Sequence, residues 1–421
     1  MGRYALSRRR TAFAITSVTL ALTGGTLLPV LTAGSAAAAP VADGKASVVD
    51  VVTASDGSAV AVWNQFASGN GRQLYAAVRP AAGDTWNTPA LLATTPTEAG
   101  SVRLHASADG TVTALWVEFP DETAPGSSEL GIRLVSSVLA ADRSGWSAPA
   151  ELVGTDAAWA DGGIDLAEGP DGTLTAVWAT KSDSASKAEV HAATRGTDGT
   201  WSRPAQLSAA ATDGADGAYA PSVAVTSDGT AVVVYRETAG ESASVRTVSR
   251  APGATAWTTP TAASGSYRSI SDPEAAAADD GSVTVAYGGT SAGLLTTTRS
   301  AAGAWSVPQS VPDAGGGSET PEPLIAPDGD ITLVWVDYNT ISFGTRTTTR
   351  EADTGTWSAV RTLSTVYVPE QYDATVTADG KADLVSRDTS GNLYRNSGDG
   401  KGSFGARVKI ATGWGGYKSL S

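Results

Sequence analysis

The chain of 421 residues contains no cysteine, two histidines and a single methionine. The absence of cysteine excludes disulfide frameworks, thiolate zinc sites and thiol nucleophiles. With only His105 and His191 available, a metal or acid–base site would have to use mainly carboxylates and tyrosines. Between residues 46 and 412 no segment has a sustained 3.6-residue apolar period, so we expect almost no helix.

The one long apolar run lies at the N-terminus. Residues 1–39 have four arginines and no acid among the first ten residues, continue with an apolar stretch over residues 11–31, and end in small residues at 35–39. This order predicts a secretory signal peptide (residues 1–39), cleaved at about residues 38–42. Gly24, Gly25 and Pro29 inside the stretch disfavour the alternative of a membrane anchor. We therefore expect a secreted, extracellular protein, exported by either the general or the twin-arginine route.

The charge balance is acidic. The chain has 43 acidic and 29 basic residues and a net charge of −14, and loss of the four leader arginines makes it more negative. Such a chain repels phosphate backbones and anionic membranes. We expect a monomer with no nucleic-acid partner and no membrane insertion.

Two columns of aromatic residues accompany a repeated Asp-Gly pair. The pair recurs at intervals of roughly 50–60 residues, as repeat architectures do, at Asp56, Asp109, Asp171, Asp228, Asp280, Asp328 and Asp379. Seven places after the first six aspartates stand Trp63, Trp116, Trp178, Tyr235, Tyr287 and Trp335. The second column comprises Trp86, Trp146, Trp201, Trp257, Trp305 and Trp357, with Phe404 in the last unit. A shared register of two columns predicts seven repeating units.

Each unit contains the pattern of four short strands. In residues 222–265 we predict strands at 222–226, 230–237, 244–250 and 257–263. Asp228-Gly229 is interpreted as a two-residue hairpin turn, in which both positions tolerate positive φ. Four antiparallel strands in such a unit are typical of a propeller blade.

We therefore predict an all-β fold, a seven-bladed β-propeller of four-stranded blades over residues 46–421. The blades are expected to start near residues 46, 101, 163, 221, 273, 322 and 373. The alternative architecture has six blades followed by a C-terminal module.

Two family resemblances support a propeller. Residues 196–201 and 352–357 resemble degenerate Asp-boxes of BNR, sialidase-type propellers, hairpins that face away from the active site in that family. The segments Asp379–Val385, Asp388–Tyr394 and Gly398–Gly405 resemble one FG-GAP (VCBS) repeat of secreted actinobacterial proteins, over about residues 373–417. Both families build propellers, so the resemblance implies the fold and leaves the function open.

The FG-GAP resemblance also implies a calcium loop of the pattern D-x-[D/N]-x-D-G-x-x-D. The matching positions here are Thr375, Thr377, Asp379, Gly380 and Asp383. Calcium needs six to eight oxygen ligands, and two of the expected carboxylates are threonines. Asp379 and Asp383 remain the candidate calcium ligands, and we expect no other cofactor.

The repeats separate a uniform face from a variable one. Turns of the Asp-Gly and Trp type should lie on one face, and loops of varying length and content on the other, which is the expected binding face. The aromatics seven places after Asp are interpreted as packing between blades, with a ring of sugar-stacking sites as the alternative. We expect the repeated arginines to stack on the turn tryptophan or pair with a turn carboxylate; they are Arg79, Arg195, Arg250, Arg299 and Arg350.

Aromatic residues outside both columns gather in the segments that follow a fourth strand. The candidate ligand-binding residues are Trp159, Tyr219, Tyr267, Tyr367, Tyr372, Trp414 and Tyr417. They are interleaved with carboxylates, and this combination suits sugars or a basic peptide. The sequence thus favours a non-catalytic binding module for a glycan or a cell-surface partner; the alternative is a set of aromatics that plug the channel mouth.

The competing class is a polysaccharide-active enzyme, either a glycoside hydrolase or a lyase. A glycosidase needs two carboxylates about 5–10 Å apart, a distance that sequence does not give. A sialidase would need several arginines for the substrate carboxylate, and the Arg-Ile-Pro motif of that family is missing near the start. His105 and His191 fall in predicted strands, so a serine triad is not expected. No catalytic residue is assigned.

Overall fold

The computed structural model describes residues 46–66, 72–83, 85–93, 99–118, 132–153, 158–181, 187–209, 215–289, 292–315, 318–339, 342–364, 372–376, 382–387, 392–397, 405–406 and 408–411. Within these ranges the regular structure consists of strands. In the same ranges, no helical segment has the length and apolarity of a membrane span. The leader, residues 1–39, lies outside the described residues.

The strands assemble into four-stranded antiparallel meanders, numbered here as sheets in chain order. Sheet 1 contains β1 (Ala46–Thr53), β2 (Ala59–Phe66), β3 (Arg72–Arg79) and β4 (Ala90–Ala93). Sheet 2 contains β5 (Ala99–Ala106), β6 (Val112–Glu118), β7 (Arg133–Leu139) and β8 (Ala150–Val153). Sheet 3 contains β9 (Ala158–Glu168), β10 (Leu174–Lys181), β11 (Glu189–Arg195) and β12 (Ala205–Gln206).

Four further sheets repeat this arrangement. Sheet 4 contains β13 (Ala215–Val225), β14 (Ala231–Ala239), β15 (Ser242–Arg250) and β16 (Thr261–Ala262). Sheet 5 contains β17 (Glu274–Ala277), β18 (Val283–Gly289), β19 (Gly293–Arg299) and β20 (Gln309–Ser310). Sheet 6 contains β21 (Ser318–Ile325), β22 (Ile331–Asn339), β23 (Ser342–Arg350) and β24 (Arg361–Ser364). Sheet 7 contains β25 (Tyr372–Val376), β26 (Ala382–Arg387), β27 (Leu393–Asn396) and β28 (Val408–Ala411).

The four-strand division of residues 222–265 is confirmed, with different bounds at its two ends. β13 starts at Ala215 because its first residues also meet the preceding sheet, where the Ala218 amide donates to the Ala188 carbonyl at 2.8 Å. β16 is only two residues long. Residues 257–260, predicted to belong to this strand, precede it, and there the Thr258 amide donates to the Ser249 carbonyl of β15 at 2.9 Å.

The Asp-Gly turns differ from the prediction in one respect. In the first turn the Gly57 amide donates to the Ala54 carbonyl and the Ala54 amide to the Ser58 carbonyl, both at 2.8 Å, which encloses three residues rather than two. Gly57 has a φ of 81°, whereas the φ of Asp56 is negative. The prediction of a two-residue hairpin turn is therefore wrong. A three-residue loop with glycine in the left-handed region is the second common hairpin connection.

In the six described Asp-Gly turns, those of sheets 1 to 6, a local hydrogen bond explains the aspartate. Its side chain accepts the amide of the residue two places on, for example Ser58 to Asp56 at 2.8 Å and Thr230 to Asp228 at 2.9 Å. This is the Asx geometry that favours aspartate before glycine in turns. Turn chemistry alone therefore accounts for the repeated Asp-Gly pair.

The first aromatic column packs between consecutive sheets. Trp116, Trp178, Tyr235, Tyr287 and Trp335 are 0–1 % exposed, and Trp63 is 6 % exposed. Trp116 lies in one cluster with Val60 and Val62 of the preceding sheet, and Trp178 packs with Leu115 in the same way. The interpretation as inter-sheet packing is confirmed. The alternative of a stacking ring is excluded for these five rings, because a ring this deeply buried has no free face.

The second aromatic column lies in the third hairpin of sheets 1 to 6, and Phe404 of the last unit lies outside the described residues. Its six tryptophans are half-buried and pack against the edges of the core clusters. Arg250 lies over the Trp257 ring, 5.1 Å from its centroid, as predicted. Arg79 and Arg350 instead donate to carbonyls of the turn glycines, at 2.8 and 3.2 Å. The predicted partner was a turn carboxylate; at these two positions it is a backbone carbonyl.

The first strands tie neighbouring sheets together. They lie beside one another through the series β1, β5, β9, β13, β17, β21 and β25, so the sheets fan out from these strands. Asp50 accepts the Leu104 amide at 2.7 Å, and Asp165 accepts the Val223 amide at 2.8 Å. These buried carboxylates form hydrogen bonds from one sheet to backbone of the next, which lowers the cost of burying them.

Candidate functional site

The two kinds of turn lie at the same end of the strands. Arg143, in the connection from β7 to β8, donates to the Gly110 carbonyl at 2.6 Å and reaches Asp56 at 3.1 Å. These partners belong to the Asp-Gly turns of sheets 2 and 1. We call this the turn end. The opposite end holds the connections from second to third strands and from each sheet to the next, and we call it the loop end.

The structure describes the side chains of two predicted ligand-binding residues, Tyr219 and Tyr267. Trp159 lies in β9 and Tyr372 lies in β25, and for both the structure describes the backbone. Tyr367, Trp414 and Tyr417 lie outside the described residues, as does the candidate calcium ligand Asp379. Asp383 is a backbone position of β26. The assignment of these residues to a binding site, and of Asp379 and Asp383 to calcium, stays a prediction.

Tyr219 belongs to a charged cluster at the loop end of sheet 4. It pairs across the strands with Arg236, whose guanidinium carbon lies 5.6 Å from the tyrosine ring centroid. Arg236 Nη1 is 3.0 Å from Oδ1 of Asp272, in the connection that leads into sheet 5. The side chains of Arg236 and Asp272 are 28 % and 25 % exposed, so both reach solvent. A half-exposed ring, a cation and a carboxylate therefore meet at one point between two sheets.

Tyr267 has a different environment. Its backbone exchanges hydrogen bonds with Ala243 at the start of the third strand, at 2.7 and 2.8 Å. Its ring contacts the Tyr287 ring edge-on, with centroids 6.1 Å apart and an interplanar angle of 63°. Burial raises the pKa of Tyr287, with a further contribution from Tyr267, so the Tyr287 hydroxyl keeps its proton at neutral pH. Tyr267 thus covers a core aromatic rather than standing free as a platform.

Sequence reasoning missed a second set of charged residues at this end. Arg133 lies between two carboxylates, with Nη1 3.1 Å from Glu118 Oε2 and Nε 2.7 Å from Glu151 Oε2. The hydrogen bond to Glu151, together with both nearby charges, raises the pKa of Arg133 despite some burial. The signal was present in the sequence, because Glu118 stands two places after the column residue Trp116.

Two more ion pairs have the same placement. Arg246 Nε is 3.3 Å from Glu237 Oε2 in sheet 4. Arg346 Nε is 2.7 Å from Asp337 Oδ2 in sheet 6. In both, the acid again follows the column aromatic by two places, and the arginine lies directly across the strands from that aromatic.

The histidines occupy structural positions. Nε2 of His105 lies 3.0 Å from Oε2 of Glu168 at the turn end, and the ring is 2 % exposed. His191 stacks on Trp178, with centroids 6.1 Å apart and planes at 18°. Burial lowers the pKa of His191, against a smaller raising effect of Glu189. Among the described residues, no group of three or more His, Asp and Glu side chains is arranged to hold a metal ion.

No family model matches the chain, and no curated protein matches it. Among solved structures, the BP39L lectin from Burkholderia pseudomallei is 14 % identical, covers 87 % of this chain and 99 % of its own, and has a TM-score of 0.57. The Hadza microbial sialidase Hz136 is 11 % identical over 81 % of this chain and 74 % of its own, with a TM-score of 0.47. The intramolecular trans-sialidase from Ruminococcus gnavus is 11 % identical over 81 % and 89 %, with a TM-score of 0.45.

The fold is an all-β propeller of four-stranded sheets. This conclusion is supported by the structural similarity to the lectin and by the meander topology of the sheets. The number of blades in a closed ring and the FG-GAP resemblance of residues 373–417 stay predictions. We refer to sheets as blades from here on.

Proposed function

We propose that this protein is a non-catalytic carbohydrate-binding propeller that acts outside the cell and binds its ligand at the loop end. The observation that carries the proposal is the cluster of Tyr219, Arg236 and Asp272. It lies at the end of the strands where the sequence predicts binding, and all three side chains are partly exposed.

The chemistry of this cluster suits a sugar. A carboxylate accepts hydrogen bonds from hydroxyl groups, a guanidinium donates several in a fixed plane, and the face of a tyrosine ring packs against the apolar C–H face of a pyranose. The ion pair between Arg236 and Asp272 neutralises both charges. A neutral ligand with many hydroxyls is therefore a better match than a strongly charged one, and the acidic chain disfavours polyanions further.

The fold supports this class of ligand without identifying it. A lectin is among the solved structures that share the fold at a TM-score of 0.57. Propellers serve many unrelated functions, so the proposal depends on the cluster rather than on the fold.

The second candidate is a glycoside hydrolase or lyase on the same scaffold. Glu118 and Glu151, the two carboxylates that flank Arg133, are the observation that favours it. Hydrolysis needs one carboxyl to be protonated as the acid. Because both carboxylates are held in ion pairs with the same guanidinium, we rank the binding function first.

A glycan array and an assay for reducing sugar separate the two functions. The binding proposal predicts retention of glycan on the array and no release of reducing ends from polysaccharides. Arg236→Met keeps the aliphatic stem and removes the cation, so it should weaken binding about tenfold or more. Arg203→Met is the matched control, because Arg203 is exposed beside the turn tryptophan of blade 3 at the opposite end.

Three results would count against the proposal. They are an array without signal, equal losses in both variants, and steady release of reducing ends that is abolished by Glu118→Gln. The last of these would establish the enzymatic alternative. N-terminal sequencing of the exported protein tests the leader separately, with a start at about residues 39–43 expected.

A further inference from the structure

A polar pair accompanies the column aromatic in alternate blades. In blades 2, 4 and 6 a carboxylate stands two places after the aromatic and is paired with an arginine of the third strand. The pairs are Glu118–Arg133, Glu237–Arg246 and Asp337–Arg346, and we call them the seam pairs. In blades 1, 3 and 5 the same position holds Gln65, Thr180 and Gly289, without an acid.

All three seam pairs face the preceding blade at the loop end. Side chains two apart on a strand project from the same face of the sheet. The column aromatics of blades 2, 4 and 6 pack against blades 1, 3 and 5 respectively. The acids two places after these aromatics therefore lie in the same contacts between blades, which we call the seams, and nearer to solvent.

The arginines are the more accessible partners in two of the three pairs. Side-chain exposure is 46 % for Arg133 against 9 % for Glu118, and 25 % for Arg346 against 4 % for Asp337. Arg246 and Glu237 are similar, at 28 % and 30 %. In blades 2 and 6 the carboxylate is the more buried partner of the pair. Each guanidinium has a further partner in its own blade: Arg133 pairs with Glu151, Arg246 Nη2 donates to the Pro260 carbonyl at 3.4 Å, and Arg346 Nη1 donates to Thr362 Oγ1 at 3.4 Å.

The pair in blade 6 has unused hydrogen-bonding capacity. Among the described residues, the buried atoms Asp337 Oδ1 and Trp335 Nε1 have no hydrogen-bond partner. Gly315, with a φ of 80°, lines the same point, where an added Cβ would lie 3.5 Å from Asp337 Oδ2. Buried polar groups without partners are costly in a folded protein. A donor and an acceptor without partners, next to a partly exposed guanidinium, are the elements of a small polar site.

We propose that the three seam pairs are repeated monosaccharide sites for neutral sugars with vicinal hydroxyls, which makes the protein multivalent. At each site the remaining N–H groups of the guanidinium donate to neighbouring hydroxyl oxygens of the sugar, and the carboxylate keeps the guanidinium in place. The proposal rests on the proposed carbohydrate function and extends it from one cluster to a set of sites. The cluster of Tyr219, Arg236 and Asp272 is separate, because Arg236 pairs with a residue of the connection that leads into blade 5.

The alternation gives the proposal its internal control. If the pairs served only to cap a core aromatic, each blade would need one, yet blade 1 caps Trp63 with neutral Gln65 at 3.4 Å. In blade 2 Glu118 Oε1 caps Trp116 in the same way, at 3.1 Å, and it is the paired guanidinium of Arg133 that exceeds this structural requirement.

The test is calorimetry on the full mature chain with the methyl glycosides of mannose, fucose, galactose and glucose. Single changes Arg133→Met, Arg246→Met and Arg346→Met should each lower the stoichiometry by about one site, and the triple variant should lower it by about three. Retention on a surface densely coated with the same sugar should fall by about a hundredfold or more in the triple variant, because avidity is lost. Arg203→Met at the turn end is the control.

A stability loss is separated from a binding loss by the conservative changes. Arg346→Lys keeps the charge next to Asp337 but loses the planar fork, so it should keep the melting temperature and still weaken its site. An unchanged stoichiometry in the triple variant, with binding abolished by Arg236→Met, would overturn the seam sites and leave the proposed function standing. No binding of any glycoside or arrayed glycan overturns both. Binding that survives Arg236→Met but not the triple variant supports the seam sites and rejects the Tyr219 cluster.

Discussion

The two ends of the strands are built by different physical means. At the turn end, the described Asp-Gly turns of blades 1 to 6 repeat a three-residue loop closed by backbone hydrogen bonds and by the aspartate carboxylate, as at Asp56 and Asp228. At the loop end, the contacts are ion pairs whose partners differ from blade to blade, such as Arg133 with two glutamates and Arg236 with Asp272. The hydrogen bonds of a turn form in any sequence that keeps Asp-Gly at the turn. Each ion pair, in contrast, is lost when one of its two side chains changes. The turn end is therefore the scaffold and the loop end is free to vary.

The largest effect is expected from removing the last blade. Deletion of residues 372–421 removes β25 to β28. In a closed ring this blade covers the face of blade 1 that carries Trp63, which is only 6 % exposed. The truncated chain should aggregate or melt at least about 10 °C lower, because it exposes two sheet faces. A monomer with an unchanged melting temperature would instead establish six blades plus a C-terminal module.

The next effect contrasts a column aromatic with a residue of the loop end. Trp178→Ala should lower the free energy of unfolding by about 3–5 kcal/mol, because the ring is 1 % exposed between blades 2 and 3. Arg246→Met should cost less than about 1 kcal/mol, since its ion pair is solvent-accessible. Urea unfolding measures both values. Equal losses would contradict the division between scaffold and variable end.

A pair of glycines in blade 2 tests the turn end itself. Gly110 has a φ of 88°, and a Cβ there would lie 3.3 Å from Ala141 Cβ, so Gly110→Ala should cost about 1–2 kcal/mol. Gly145, in the other turn of this blade, has open space around the same position. Gly145→Ala should change stability by less than about 0.5 kcal/mol. If thermal unfolding ranks the two variants in the opposite order, the turn end does not depend on the left-handed glycine.

The smallest effect concerns pH. Burial holds the pKa of His191 below its usual value, so the unfolded chain takes up this proton first as the pH falls. The contribution of His191 to stability is therefore complete above about pH 6.5, decreases as the pH falls below that value, and becomes constant once the folded histidine is protonated. His191→Gln should flatten this part of the profile in urea titrations between about pH 7.5 and 5. An unaltered slope in the variant would assign the dependence to other groups.

The turn aspartates titrate in a separate window. Hydrogen bonds from Thr226 and from Ser282 lower the pKa of Asp228 and of Asp280 respectively. Their stabilising contribution is therefore present above about pH 4 and is lost only as the pH falls further. This separation lets the His191 effect be measured without interference from the turns.

Sequence by itself determined the repeat, the strand content and the division of each unit into four strands. These follow from short-range physics: the Asx turn needs Asp and Gly at fixed places, and a period-2 pattern needs one buried face. The burial of Trp116 and Trp178 was predictable too, because a residue present in every unit is first of all architectural. The turn type was not, since Asp-Gly fits both two- and three-residue hairpins and backbone closure at Ala54 and Ser58 decides between them.

Tertiary structure alone decided which polar residues meet. Tyr219 was recognisable as an aromatic outside the columns, but its contact with Arg236 and the pairing of Arg236 with Asp272 join two blades across 36 residues of chain. The seam pairs depend on strand register, which places Arg246 opposite Tyr235 and Arg346 opposite Trp335. Distances between side chains on different strands are set by packing of whole sheets, and no local pattern encodes them. For this reason the sequence indicated the binding end, and the structure was needed to show how its charges are paired.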